Sequence, residues 1–335
     1  MKNEKSYMIY RIGYGKDART CACGVKALLA GLLSLAFLSG CVKRDLEYRT
    51  CVPSDGEGRV EIALDWNGEV RPQQARYLFY REEDGTLYRS FEGITDGYKG
   101  SLPAGKYRLI VHNTDAGRVG FCGVEKYATA FVFALSEESV KSPRAGSACI
   151  QEPEGVYGIG QCEAGLTLDV RKGETLVSTV HPRSLTRLVK LHFELKNMQV
   201  EHIGGYLNGV SPSVVLATGE CRPAGCAVAF STVTQVQGSE FAAAVQVFNL
   251  RTAQEAAPGS NTLDITLTDD QGGSRNTTVD ITDAVKEIID KNGGKTPIEI
   301  PVSIALALID DGSLQAAVTP WDDSGTGGGD PFPDK

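Results

Sequence analysis

The sequence predicts an all-β protein: two tandem β-sandwich domains, with one short helix in the second. Three observations predict it. Apolar and polar residues alternate over short runs, the pattern of half-buried strands. Glycine makes up 38 of the 335 residues, and many glycines sit in Asp-Gly, Asn-Gly and Gly-Gly pairs, which are turn chemistry. Helical spacing of apolar residues occurs over one stretch alone. Charged residues at 23% and apolar residues at 41% place the chain with folded globular proteins rather than disordered ones.

The first sandwich is expected over residues 52–135. In Arg59–Trp66, Val60, Ile62, Leu64 and Trp66 share one face. Ala75–Arg81 reads as a second strand, closed by the turn Glu83-Asp84-Gly85, and Leu87–Phe91 as a third. Pro103-Ala104-Gly105 turns the chain into a core strand with Tyr107, Leu109 and Val111 on one face, and Tyr127–Leu135 is another apolar strand. Residues 136–165, rich in Ser, Pro, Gly and Glu, read as a connector that can hold a strand or loop insertion.

The second sandwich is expected over residues 166–321. Strands are predicted at Leu166–Val170, Thr175–Val180, Leu188–Leu195, Val214–Ala217, Ala227–Ser231, Phe241–Leu250 and Asn261–Thr268. The hairpin turn Asp269–Gly273 is answered by Arg275–Ile281, and Ile298–Leu308 closes the series, with Leu314–Trp321 as its partner. Ile281, Ala284, Val285, Ile288 and Ile289 recur at helical spacing, with Thr282 or Asp283 to cap the start and Asn292-Gly293 to stop it. The glycine-rich tail, residues 322–335, reads as flexible.

Residues 1–40 read as a lipoprotein signal peptide. Basic residues lead into the apolar run Ala27–Leu38, and Leu38-Ser39-Gly40 precede Cys41. As a helix that run spans ~18 Å, short of the roughly 20 residues a membrane span needs. Met8 is an alternative start. The pattern is that of the bacterial lipobox: a diacylglyceryl group is transferred to the Cys41 thiol, small residues let the peptidase reach the backbone, and cleavage frees an α-amine for a further acyl chain such as palmitate. Two or more chains hold stably where one is marginal. The rival is an ordinary secretory leader that happens to contain a cysteine. Residues 41–51 then form a lipidated tether, and Val42, in place of an Asp after the cysteine, favours the outer membrane over retention at the inner one.

Residues 1–40 hold six of the 34 Lys and Arg and two of the 42 Asp and Glu, so the net charge falls from −8 to −12 without them. No basic stripe remains, which argues against a nucleic-acid partner.

The order of short motifs resembles a Bacteroidetes lipoprotein family of uncharacterised function, related to the fimbrillin-associated anchor proteins of minor fimbriae. The residues are Cys41 with Lys43-Arg44-Asp45-Leu46, Val60–Trp66, Leu102-Pro103-Ala104-Gly105-Lys106-Tyr107, His112-Asn113-Thr114-Asp115, Leu168–Glu174, Pro182, Leu188–Leu195 and Gly204–Gly209. The charged patch after Cys41 also resembles surface-export signals of Bacteroidetes lipoproteins. The resemblance implies transthyretin-like or immunoglobulin-like sandwiches, outer-membrane lipidation with display at the cell surface, and a role in fimbria assembly or adhesion. Fimbrillin-like subunits are then the implied partners, joined by β-strand addition. It implies no catalysis and no cofactor, and Cys41 alone carries over with a defined chemical role.

Six further cysteines of the exported part point to disulfides. Cys221-Arg-Pro-Ala-Gly-Cys226 can close a hairpin tip, and Cys149 with Cys162 can staple the connector, leaving Cys51 and Cys122. The spacing of Cys-x2-Cys zinc sites is absent. His112, His181, His192 and His202 show no paired metal spacing, and no nucleophile elbow or phosphate loop is present. The acidic pairs Asp269-Asp270, Asp310-Asp311 and Asp322-Asp323 sit by glycines and read as solvated turns rather than calcium sites. Tyr77, Tyr80 and Tyr88 can stack on sugars or pack in a core. The sequence therefore favours a non-catalytic fimbrial anchor or accessory component. A surface glycan-binding lipoprotein of a nutrient-uptake system is the alternative, and a hydrolase built of scattered residues the third reading.

Overall fold

A computed structural model describes residues 56–66, 70–137, 148–158, 167–196, 198–222, 225–232, 234–237, 239–250, 260–309 and 312–319. In chain order the elements are β1 (Glu57–Leu64), β2 (Ala75–Arg81), β3 (Leu87–Gly93), β4 (Gly97–Pro103), β5 (Gly105–Asn113), β6 (Val119–Cys122), a 3-10 turn (Tyr127–Thr129), β7 (Phe131–Ala134), β8 (Cys149–Ile150), β9 (Tyr157–Gly158), β10 (Thr167–Val170), β11 (Thr175–Val180) and β12 (Arg183–Ser184). They continue as β13 (Arg187–Lys196), β14 (His202–Val210), β15 (Ser213–Val215), β16 (Cys226–Ser231), β17 (Thr234–Gln237), β18 (Glu240–Val247), β19 (Thr262–Thr268), β20 (Ser274–Asp280), α1 (Thr282–Lys291), β21 (Glu299–Leu308) and β22 (Leu314–Thr319). The all-β expectation holds, with one α-helix among the described residues, where the helical spacing put it.

Five sheets result. A three-stranded sheet runs β11-β1-β4, and a six-stranded one runs β12-β9-β5-β2-β3 with β10 also paired to β5. A small sheet runs β15-β7-β6, and two five-stranded sheets run β17-β18-β13-β21-β22 and β20-β19-β14-β16-β8. β1 shows the alternation expected of it: Val60, Ile62 and Leu64 are buried while Arg59, Glu61 and Ala63 turn outward. Gly97 places β4 against β1, since a side chain there would press into the Ile62 carbonyl oxygen and its φ is +150°.

β2 departs from simple alternation. Ala75, Tyr77 and Phe79 face a core shared with β1, β4 and β11. Leu78 and Tyr80 face the opposite way, into a second core that continues through Val132 and Leu191 to Phe193 and Phe230. The six-stranded sheet is therefore a middle layer covered on both faces, which explains the unbroken apolar run Tyr77–Tyr80. Tyr77 and Tyr80, considered above as sugar-stacking residues, are fully buried. Their hydroxyls donate to the carbonyls of Ile94 and Val124, and burial pushes both phenols above their ordinary pKa.

The strands expected at 166–170 and 175–180 belong by chain order to the second block, yet they pair with the first. β10 runs antiparallel to Gly105–Arg108 of β5, and β11 runs parallel to β1 from Arg59↔Thr175 to Leu64↔Val180. Conversely, β7 joins β15, and β8 joins β16. Chain order and sheet membership are interleaved across the expected boundary. Local alternation carries no information on such non-local pairings. Tyr127–Leu135 is likewise shorter as a strand than predicted, because Tyr127–Thr129 turns as a 3-10 segment under Tyr80.

Helix α1 starts one residue from the expected caps. Asp280, not Thr282 or Asp283, accepts from the Thr282 backbone N–H at 2.9 Å, while the Thr282 hydroxyl donates to Asp280 and to the Asn261 carbonyl. Val285 and Ile289 are buried, and the Asn292-Gly293 stop holds, with Gly293 at φ +69°.

Candidate functional site

Sheet edges are where an all-β protein can add a partner's backbone, so their chemistry decides what the molecule can bind. Several edges among the described residues are closed or guarded. Beside β8, the Leu135–Glu137 segment pairs back: Gln151 N–H donates to Leu135 O at 2.8 Å and Glu137 N–H to Cys149 O at 3.0 Å. β20 and β22, edge strands of two facing sheets, lie against each other. β4 is guarded by Arg89, whose guanidinium donates to the Ser101 carbonyl at 2.9 Å, and β3 itself carries Arg89 and Glu92.

β11 is different. The chain reaches it by a turn in which Gly173 N–H donates to Glu57 O at 2.9 Å. Gly58 permits this crossing, because a side chain there would run into the Arg171 carbonyl oxygen and Val170. In β11, Leu176, Ser178 and Val180 turn inward and Thr175, Val177 and Thr179 are exposed. Across Thr175-Leu176-Val177-Ser178-Thr179-Val180 there is no charge and no proline. Among the described residues, β1 is its only backbone-paired neighbour. Val177 is 69% exposed.

A second surface lies on the outer face of the small sheet. Phe131 and Phe133 of β7 sit with ring centroids 6.0 Å apart. The Arg222 guanidinium lies 4.0 Å over the Phe131 ring, and Gly120 on β6 leaves room for the Phe133 ring to lie across it. No sequence motif marks these rings; Arg222 comes to them from the segment beside β15, where its N–H donates to Ser213 O at 3.1 Å.

The motif His112-Asn113-Thr114-Asp115 forms a knot at the end of β5, with His112 and Asn113 buried and Asp115 exposed. The Asn113 amide donates to Asp115 Oδ1 at 2.9 Å and to Gly155 O at 3.0 Å, and its oxygen accepts from Tyr157 N–H at 2.9 Å. Asp115 Oδ2 accepts from Gln73 N–H at 2.7 Å. Three separate segments are tied here, so the motif reads as structural.

Cys41, the Leu38-Ser39-Gly40 box, Cys51 and Cys162 lie outside the described residues. Cys149 is buried at the start of β8. Cys221 and Cys226 are free thiols. Burial pushes the Cys221 thiol up to about 11, against the pull of Arg187 and of bonds to Asn249 and Ser211; the Cys226 thiol is also raised by burial, with Cys149 nearby adding to the shift. Among the described residues no group of three His, Cys, Asp or Glu side chains converges to hold a metal ion. Asp269 is a turn clamp: its Oδ1 accepts from Gln271 N–H at 3.1 Å and Gly273 N–H at 2.6 Å. Asp310-Asp311 and Asp322-Asp323 lie outside the described residues. No helix among the described residues is long and apolar enough to cross a membrane.

Comparison with known proteins agrees with this architecture. A curated relative named "Putative fimbrium anchoring subunit Fim4B", from Bacteroides ovatus, is 32% identical over 103 residues, which is 29% of this chain and 28% of that protein. The match thus spans little more than a quarter of the relative's length. A solved structure described as a "putative adhesin" from Bacteroides ovatus matches with TM-score 0.53 at 19% identity, over 82% of this chain and 96% of that one. The fimbrial anchor protein Mfa2 from Porphyromonas gingivalis matches with TM-score 0.50 at 12% identity, over 79% and 98%. At these identities the two structures show a shared fold. The model of a domain of unknown function, DUF5119, matches residues 40–231, more than half of the chain, and the chain belongs to that family.

Proposed function

We propose that this protein is a non-catalytic outer-membrane lipoprotein, held by acyl chains on Cys41 and displayed at the cell surface, that serves as an anchor-type or accessory component of a fimbrium. It binds a partner subunit by accepting a β-strand. The observation that carries this reading is the β11 edge, uncharged and β-branched, with Val177 exposed. Exposed edges are ordinarily blunted by charge, proline or cover, and the other edges described above are. Each added backbone hydrogen bond contributes about 0.5–1.5 kcal/mol, and covering a valine fully adds roughly 1.5–3 kcal/mol. The name of the Bacteroides ovatus relative supports a fimbrial context. Isolation of the native protein from membranes tests the proposal: a pilin-like subunit is expected to co-purify, and Val177→Lys to reduce its yield. Recovery with no such partner contradicts it.

The surface glycan-binding alternative is favoured by the Phe133 ring, which can stack on a sugar beside the Arg222 guanidinium that covers Phe131 and can donate to its hydroxyls. Binding on a polysaccharide array that is lost in Phe133→Ala, with no subunit co-purifying, would select it. Pairing of Cys221 with Cys226, and of Cys149 with Cys162, after export also belongs to this proposal and is read by peptide mapping without reduction.

A further inference from the structure

His112 lies near the end of β5 on the face turned toward the small sheet, and it is 1% exposed. Its ring stacks on Phe121 of β6 at 4.1 Å between centroids and 26° between planes. In the six-stranded sheet it is in register with Arg76 of β2 on one side and Gly158 of β9 on the other. Nδ1 is 2.8 Å from the Asn113 carbonyl oxygen. A carbonyl only accepts, so Nδ1 carries the hydrogen and Nε2 is the bare acceptor. Nε2 and the Thr114 hydroxyl, two residues along the same face, are buried with no hydrogen-bond partner among the described residues.

We propose that His112 is an acid-operated release at the end of β5, in which a proton from water adds to Nε2 and frees β5 from β6 of the small sheet and from β9, its neighbour in the six-stranded sheet. The charged groups around the ring make this one-directional. Arg76 disfavours the imidazolium, and Glu92 on β3, which favours it, is engaged by Arg76. β6 presents the Phe121 ring and β9 presents Gly158, neither of which titrates. A proton on Nε2 therefore has no acceptor while the layers stay closed, and a buried unpaired charge is costly.

Burial, the largest cause, pushes the imidazole down from 6.5 to about 4. Above pH 6.5 both closed and opened states are neutral and the contact is fully present. As pH falls from 6.5 toward 4 the opened ring takes up a proton and the closed ring does not. Closure then loses up to roughly 300-fold in its equilibrium constant. Below pH 4 both states are protonated and nothing more is lost.

The test is hydrogen exchange of the full chain at pH 7.0 and 4.5, corrected for the intrinsic pH dependence of amide exchange. Peptides covering 119–122 and 155–158 are expected to exchange at least tenfold faster at pH 4.5, while β13 stays within about threefold. His112→Phe keeps the stack without a titrating nitrogen, and the step is expected to vanish. Equal protection at both pH values, or a step that persists in His112→Phe, overturns the proposal. If His112→Phe does not fold, an NMR titration of His112 in the unsubstituted protein decides. Nε2 unprotonated down to pH 5 supports the release, and ordinary titration near 6.5 without loss of protection overturns it.

Discussion

Asn113→Ala is expected to be among the most damaging single-atom-group deletions outside the apolar cores. The side chain is 2% exposed and makes three hydrogen bonds of 2.9, 3.0 and 2.9 Å to Asp115, Gly155 and Tyr157. At about 1 kcal/mol each, their loss costs about 3 kcal/mol, because Tyr157 N–H and Gly155 C=O keep no substitute partner in the knot. For a chain of this length that corresponds to a fall in melting temperature of roughly 4–5 °C. Urea denaturation followed by tryptophan fluorescence reads the change, since Trp66 packs edge-on to Tyr157 at 6.1 Å. The midpoint should fall with the slope unchanged. Asn113→Asp sharpens the test. It keeps the acceptor for Tyr157 N–H but turns a carboxylate oxygen toward Asp115 and the Gly155 carbonyl. It should therefore be worse than alanine at pH 7 and recover part of the difference as carboxylates protonate near pH 4. A loss under about 0.5 kcal/mol for both variants would refute the view that this motif ties the chain together.

Other consequences are as definite. Phe193→Ala removes a fully buried ring stacked on Phe230 at 5.9 Å and should cost about 3–5 kcal/mol in denaturant midpoint measurements. Val177→Lys, on a side chain 69% exposed, should change stability by under about 0.5 kcal/mol, so any loss of partner binding is not a folding defect. Cys41→Ser should leave the product in the soluble fraction or as an uncleaved precursor; full membrane retention after cleavage would rule out lipid tethering.

The strands were legible because alternation is local. β1, β5, β13 and β19 each write their inward face into consecutive residues, and α1 writes its face at spacing three and four. What stayed hidden was long-range. Tyr77–Tyr80 is apolar throughout because its sheet is covered on both sides, and the covering β6–β7 layer comes from elsewhere in the chain. β11 joins β1 in parallel across more than a hundred residues, which no short window reports. The β11 edge was thus visible as a strand but not as an edge. The Phe131–Phe133 face was missed because Arg222 reaches it only in three dimensions. His112 offers the sequence no metal spacing to mark it; its orphaned nitrogen is a property of the packing.

The account turns on β11 as the acceptor of a partner's strand. A photo-crosslinking residue placed at position 177 in cells, followed by isolation of the outer membrane and mass spectrometry of the adduct, tests this most directly. A crosslink from position 177 to an extended terminal segment of a pilin-like subunit is the predicted result. Adducts to glycan or water alone, with the subunit crosslinking instead from position 133, would contradict it.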